Sequence, residues 1–197
     1  MISPVADFNG DHHSDLLWRN SQSGDVAIWL LDGTSVIQTP VIVNVPLNWK
    51  IIGLADLNGD GHHELIWRNQ STGAVTAWYL TNFNPTSGVN LGTPALNWRL
   101  RGIGKFNANP SDAFVWHDSN TGTIAIWNFN SAGQFSSSFP GAAPYPWEIY
   151  GAGNSEILWY NLSTSQCAVW SVNGNTATAS PINIFPGPTW LVQPFSN

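Results

Sequence analysis

Charge is what this 197-residue chain has least of. Six Lys and Arg and twelve Asp and Glu make up 9% of its residues, against about 25% in an ordinary soluble domain. Six dispersed cations neutralise a phosphate backbone poorly, which argues against a nucleic-acid partner. A lone cysteine, Cys167, excludes an internal disulfide framework. No run of about 18 apolar residues occurs, so no helix inserts in a membrane. No stretch reads as a signal peptide either. G-x-S-x-G, H-E-x-x-H and phosphate-cradling glycine loops are missing. Asp25, Asp32, Asp112, Asp118, Glu148 and Glu156 form no recurring pair of the kind glycoside hydrolysis needs. The expectation is a protein that is not an enzyme.

Tryptophan is what the chain has instead. Its twelve tryptophans fall into three series: Trp18, Trp67, Trp116, Trp159; Trp29, Trp78, Trp127, Trp170; and Trp49, Trp98, Trp147, Trp190. Within a repeat the first and second are always 11 apart and the second and third 20 apart. The chain is therefore four tandem repeats, about 1–48, 49–97, 98–146 and 147–197, the fourth shortened by six residues at one place. Each repeat reads as a hairpin, such as Leu16–Arg19, a turn ending at Gly24, then Val26–Leu30. A weaker strand follows, Ser35 to Val43 in the first copy, then one opening at the third tryptophan. Four strands in about 49 residues is the size of a propeller blade. The expected fold is all-β, a β-propeller of four four-stranded blades in one domain spanning 1–197. Thr189–Phe195 reads as a further opening strand. It either completes the first blade of the same chain or that of a second copy in a two-chain ring. Most of the tryptophans are expected to fill the space between blades.

Half of the carboxylates lie in two loops, Asp7-Phe8-Asn9-Gly10-Asp11-His12-His13-Ser14-Asp15 and Asp56-Leu57-Asn58-Gly59-Asp60-Gly61-His62-His63-Glu64. Side-chain oxygens at positions one, three, five and nine suit a hard cation. These are Asp7, Asn9, Asp11 and Asp15, and Asp56, Asn58, Asp60 and Glu64. The backbone carbonyls of His13 and His62 add a further oxygen each. Calcium accepts six to eight such ligands, so two Ca²⁺ are expected, one per loop. The competing reading is a set of Asx turns, which Asp, Asn and Gly favour in any case. Lys105 and Ala113 replace the first and last ligands in the third repeat, and the fourth has lost the loop, so no metal is expected there. Zinc is disfavoured because the adjacent pairs His12-His13 and His62-His63 lack partners at ligand spacing. His117, which stands where Arg19 and Arg68 follow their tryptophans, is expected to be a surface variant.

These loops and the strands after them, Ala6–Asp11 with Asp15–Asn20 and Ala55–Gly61 with Glu64–Asn69, resemble the FG-GAP/VCBS repeat family. That resemblance implies a β-propeller with calcium in loops between the first two strands of a blade, similar to integrin α-subunit propellers and to fungal and bacterial propeller lectins. It implies a secreted or cell-surface setting, often within a larger protein. Four repeats depart from the seven common in the family, which makes a homodimeric ring an option.

The expected function is non-catalytic carbohydrate binding by a calcium-stabilised propeller, with a glycan or cell-surface glycoprotein as partner. A nearly neutral, aromatic, amide-rich surface suits neutral sugars. The candidate contacts are Trp49, Trp98, Trp147 and Trp190, with Arg19, Arg68, Asn20 and Asn69. Each could equally be a packing or turn residue. The alternative is a protein-interaction, adhesion or assembly module.

Overall fold

The computed structural model describes residues 6–106 and 109–182. Among these there is no helix: the chain is all-β, sixteen strands in four four-stranded antiparallel sheets. The first sheet holds β1 (Leu16–Arg19), β2 (Asp25–Asp32), β3 (Ser35–Gln38) and β4 (Val41–Asn44). The second is β5 (Trp49–Ala55), β6 (Glu64–Asn69), β7 (Val75–Thr81) and β8 (Asn84–Gly92). The third is β9 (Trp98–Lys105), β10 (Asp112–Asp118), β11 (Thr123–Phe129) and β12 (Phe135–Ala142). The fourth is β13 (Trp147–Gly153), β14 (Glu156–Asn161), β15 (Cys167–Asn173) and β16 (Thr176–Ile182). Each of the last three sheets is a simple meander in chain order. This is the four-stranded blade unit of a β-propeller.

The first sheet differs at both edges. Its weak strand is broken into β3 and β4, both paired to β2. Pro40 lies in the break; it has no N–H to give to a ladder, and its carbonyl instead accepts from Ile28 N at 3.1 Å. Of the segments expected to open this sheet, only Ala6 is described. It bridges Asp15, as Ala55 pairs with Glu64 at the end of β5. The segment Thr189–Phe195, with Trp190, lies outside the described residues.

The chain packs as two compact units, the first built on sheets one and two, the second on sheets three and four. In the first, Leu17, Val26, Ile28, Leu30, Leu65 and Trp67 form the core. In the second, Val115, Ile124, Ile126, Ile149, Ile157 and Trp159 do so. Strand β2 buries alternate residues, the half-buried pattern, whereas all six residues of β6 are buried, as a strand covered on both faces requires.

The tryptophan spacing has a geometric cause. Leu16 pairs with Trp29 and Trp18 with Ala27, so Trp18 and Trp29 are diagonal neighbours on one face of the hairpin. Their rings lie 4.9 Å apart at 46°. The same tilted pair recurs as Trp67–Trp78 at 5.2 Å, Trp116–Trp127 at 5.1 Å and Trp159–Trp170 at 4.9 Å. Trp67, Trp116 and Trp159 are fully buried and Trp18 is half-buried, so for the fully buried three the packing role expected of most tryptophans is a fact of the fold.

The hairpin turn is equally repetitive. Asn20 Oδ1 accepts from the amides of Gln22 and Ser23, and its carbonyl accepts from Gly24. Asn69, Asp118 and Asn161 do the same. Gly24, Gly73 and Gly122 take φ of 85°, 83° and 75°, and a Cβ on any of them would collide with the backbone of the loop before the next opening strand. The fourth copy uses Ser165 at φ 57°, a strained choice for a residue with a side chain.

Candidate functional site

A groove of about 460 Å³ opens in the first unit, between β4 and its following loop on one side and β5 to β8 on the other. Its aromatic wall is Trp49, Trp67 and Trp78; its polar groups include Asn44, Thr76 and Asn90. Trp49 opens β5 after a tight turn in which its amide donates to Pro46 O at 3.0 Å, and it stays half-buried. Trp78 lies over β8 at Gly88, where a Cβ would stand 3.2 Å from the indole Nε1. Glycine there leaves the indole room to lie across the strand. Trp67 is fully buried, and its indole N–H finds no acceptor among the described residues. Such an N–H is costly unless water or a ligand accepts it. Asn44 is oriented by bonds from its amide to Ser23 O at 2.8 Å and Asp25 Oδ1 at 2.7 Å. The Ser23 and Asn44 bonds hold Asp25 below the usual carboxylate range.

The second unit has no equal of this groove among its described residues. The cross-strand pair Thr76–Asn90 becomes Ala168–Pro181, and Asn44, which faces Asp25, becomes Ala142, which faces Thr123. Gly141 lets the Trp170 ring approach β12, with Cζ3 3.2 Å from where a Cβ would be. Trp147 and Trp170 pack partly buried against the core of the second unit, as Trp49 and Trp78 do in the first.

The residues expected to contact a ligand are placed as follows. Trp49 lines the groove. Trp98 and Trp147 take the same half-buried place at the start of β9 and β13. Arg19 donates to Val45 O at 2.6 Å and Pro46 O at 3.2 Å, with its guanidinium 5.4 Å from the Trp67 ring centre. Arg68 is buried and donates to Pro94 O at 3.4 Å and Ala95 O at 3.0 Å. Asn20 and Asn69 cap the hairpin turns. Nothing in the sequence marks Trp67, Trp78 and Asn44 for this role. The signal for Thr76 and Asn90 is faint: they break the repeat pattern with polar groups.

The acidic loops are organised by their own backbone. Asp7 accepts from Gly10 N at 2.6 Å and His12 N at 2.8 Å, Asn9 from Asp11 N at 3.0 Å, and Asp11 from His13 N at 2.8 Å. The amides of His12, Gly10, Asp11 and Asn9 outweigh the opposing effect of desolvation and hold Asp7 below its usual pKa. Asp15 is fully buried; its oxygens accept from Phe8 N and Leu31 N. In the second loop Asp56 accepts from Asp60 N at 3.1 Å and Gly61 N at 3.0 Å, and Asp60 from His62 N at 2.8 Å. Gly10 and Gly59 bend the two loops at φ 80° and 78°. These are the Asx turns the composition favours. Among the described residues no three His, Cys, Asp or Glu side chains converge so as to hold a metal ion. A cation would therefore also need the amide oxygens of Asn9 or Asn58 and backbone carbonyls.

In the third repeat Lys105 stands where Asp7 and Asp56 do. Its ammonium is 3.6 Å from Asp112 and bonds the Pro110 carbonyl, so a tethered cation occupies this loop. In the fourth, the two-residue turn Asn154-Ser155, at φ 51° and 60°, replaces the loop. His117 corrects an expectation. It is only 3% exposed, edge-on to Trp159 at 5.6 Å, because the repeat places this position in a packed seam.

Four-stranded antiparallel sheets joined in tandem, each with the same tryptophan pair, define a propeller-type repeat protein. Residues 7–67 match the model of the FG-GAP-like repeat family, which bears out the resemblance read from the acidic loops and the strands after them. Among solved structures the chain is similar to the β-propeller domain of Cps50 (Swd1) from Myceliophteria thermophila, at 16% identity and a TM-score of 0.48. That alignment covers 88% of this chain and 54% of the other, so the chain spans about half of that domain's length. No curated protein matches the chain in sequence.

Proposed function

We propose that the chain is a non-catalytic recognition module whose first-unit groove takes a neutral carbohydrate. One observation carries the reading: half-buried indoles and uncharged hydrogen-bonding groups share a concave site large enough for a sugar ring. Indole faces suit the C–H faces of a pyranose, and amide and hydroxyl groups suit its hydroxyls. No charged side chain lines the groove, so nothing there favours an ionic ligand. The test is a broad glycan array followed by titration with the free sugar, read by tryptophan fluorescence. Saturable binding that Trp78→Ala weakens at least tenfold, with the melting temperature near wild type, supports the site. No glycan bound on the array overturns it and leaves protein interaction as the better reading. Exposed Leu47 and Leu96, both just before an opening tryptophan, favour that second reading.

We propose further that the loops from Asp7 and from Asp56 each bind Ca²⁺ by drawing together side chains that do not converge in the structure, Asp7, Asn9, Asp11 and Asp15, and Asp56, Asn58, Asp60 and Glu64, with the carbonyls of His13 and His62 added. The support is an all-oxygen donor set on loops already bent by their glycines. Calcium here would stiffen loops and take no part in chemistry. Tyr79 lies beside the second loop: burial, then the charges of Glu64, Asp60 and Asp56, push its phenol pKa up. Terbium luminescence sensitised through Tyr79 or Trp78 would report the site. Luminescence that calcium displaces and that Asp56→Ala abolishes is expected; luminescence unchanged in that variant would sink the proposal.

A further inference from the structure

The position after the first-series tryptophan is a seam residue. Arg19 and Arg68 reach the carbonyls of Val45 and Pro46, and of Pro94 and Ala95, which are the same two repeat positions. Arg19 also lies over Trp67 of the following sheet. A guanidinium cannot lose its proton in the working pH range, so a seam built on Arg19 is insensitive to pH. In the second unit the residue is His117 and the matching carbonyls are Ala143 and Pro144. His117 sits between the third and fourth sheets with its ring edge-on to Trp159. It is buried, and neither ring nitrogen makes a hydrogen bond of ordinary geometry among the described residues. A neutral imidazole tolerates that site better than an imidazolium, which would bring a second N–H donor and a charge into a buried place where no well-formed hydrogen bond receives them.

We propose that His117 makes the seam between the third and fourth sheets an acid-sensitive joint, closed while the ring is neutral and loosened when it takes a proton. The groups around it do not cancel this. Glu148 on β13 and the adjacent Asp118 favour the cation, as does the nearby Ala143 carbonyl; Arg101 on β9 opposes it. Glu148 is engaged, 2.8 Å from Arg101 Nη2 across the same seam. Arg99 on β9 is the cross-strand neighbour of His117, and Ile124 is the neighbour on β11. Burial is the largest influence and holds the imidazole below its ordinary pKa. A folded-state pKa below the unfolded one means that stability is fully present above about pH 6.5 and falls as pH drops below it.

The experiment uses the full chain. Its histidine ring protons are followed by NMR from pH 8 to 4.5, and melting temperature is measured over the same range for wild type, His117→Phe and His117→Arg. His117 should titrate below about 6.5. Amide signals of Trp116–Asp118 and Leu158–Tyr160 should move with it, while those of Arg19 and Trp67 stay still. The wild type should lose about 3 °C more than His117→Phe between pH 7.5 and 5.5. His117→Arg should lose no more than His117→Phe. If the ring titrates at or above the ordinary value, or both chains lose the same, the joint is not acid-sensitive. Should neither variant fold, the ring titration and the moving amides decide alone.

Discussion

The first and second units share a scaffold and differ in what was left on it. Both carry the tilted tryptophan pair, the Asn- or Asp-capped hairpin turn and a meander opened by a half-buried tryptophan. The first unit adds the acidic loop from Asp7, the carboxylates of the loop from Asp56, and an open groove with the polar groups of Asn44, Thr76 and Asn90. In the second, a lysine fills one loop, a two-residue turn removes the other, and alanine and proline stand in for the groove's polar pair. The seams diverge likewise, arginine in the first unit and histidine in the second. Elements that build a sheet recur in all four copies because each copy must solve the same packing problem. Elements that exceed that need survive in the first unit alone, which is why function is placed there.

The largest effects should be the same in both units. Trp67→Ala and Trp159→Ala each delete a fully buried indole and should cost about 3–5 kcal/mol in urea unfolding. A much smaller loss for one would show that the two cores do not rest on equivalent residues. Calcium should then separate the units. At about a hundred times its dissociation constant it should add roughly 2.7 kcal/mol. Hydrogen exchange should slow in residues 7–15 and 56–64 and not in 109–113; equal slowing everywhere would break the comparison. Next come the turns. Gly122→Ala should cost about 1–2 kcal/mol or more, because it adds a Cβ at positive φ against Pro144. Ser165→Gly should gain up to about 1 kcal/mol by relieving the same conformation, measured by denaturation midpoint. The smallest effect belongs to Lys105→Ala, under about 1 kcal/mol, since its pair with Asp112 is half exposed.

Acid should act on both units through the carboxylates held at turns. Desolvation works against the shift at Asp118, yet bonds from Asn120, Asn97 and Thr121 hold it below its usual pKa, as loop amides hold Asp7. A lowered folded-state pKa contributes stability above about pH 3.9 that is lost as pH falls below it. Asp118→Asn, which matches Asn20, Asn69 and Asn161, should therefore reduce the acid sensitivity measured below pH 4. That window lies beneath the one assigned to His117, so the two are separable in one titration.

Much of this was legible in the amino-acid order. Repeats, hairpins and loops are local patterns, and a tryptophan eleven residues after another, with a turn between them, falls on the partner strand of a short hairpin; the diagonal placement follows from the register. Lys105 and Ala113 announced the loss of the third acidic loop for the same reason, since a loop's ligand positions are counted along the chain. The groove was not legible, because Asn44, Trp49, Thr76 and Asn90 come from two repeats and meet only when the sheets pack. His117 reads as a surface residue from the sequence because the chain shows a substitution of Arg and says nothing of the seam that buries it. Sequence alone determined the number of repeats, the strand order and the place of the acidic loops, since these follow from short-range spacing and backbone geometry. Tertiary structure decided which indoles are core and which line a groove, and whether an imidazole is exposed or buried. Those outcomes depend on what the neighbouring sheet places opposite, and that is a matter of packing between repeats that no single repeat contains.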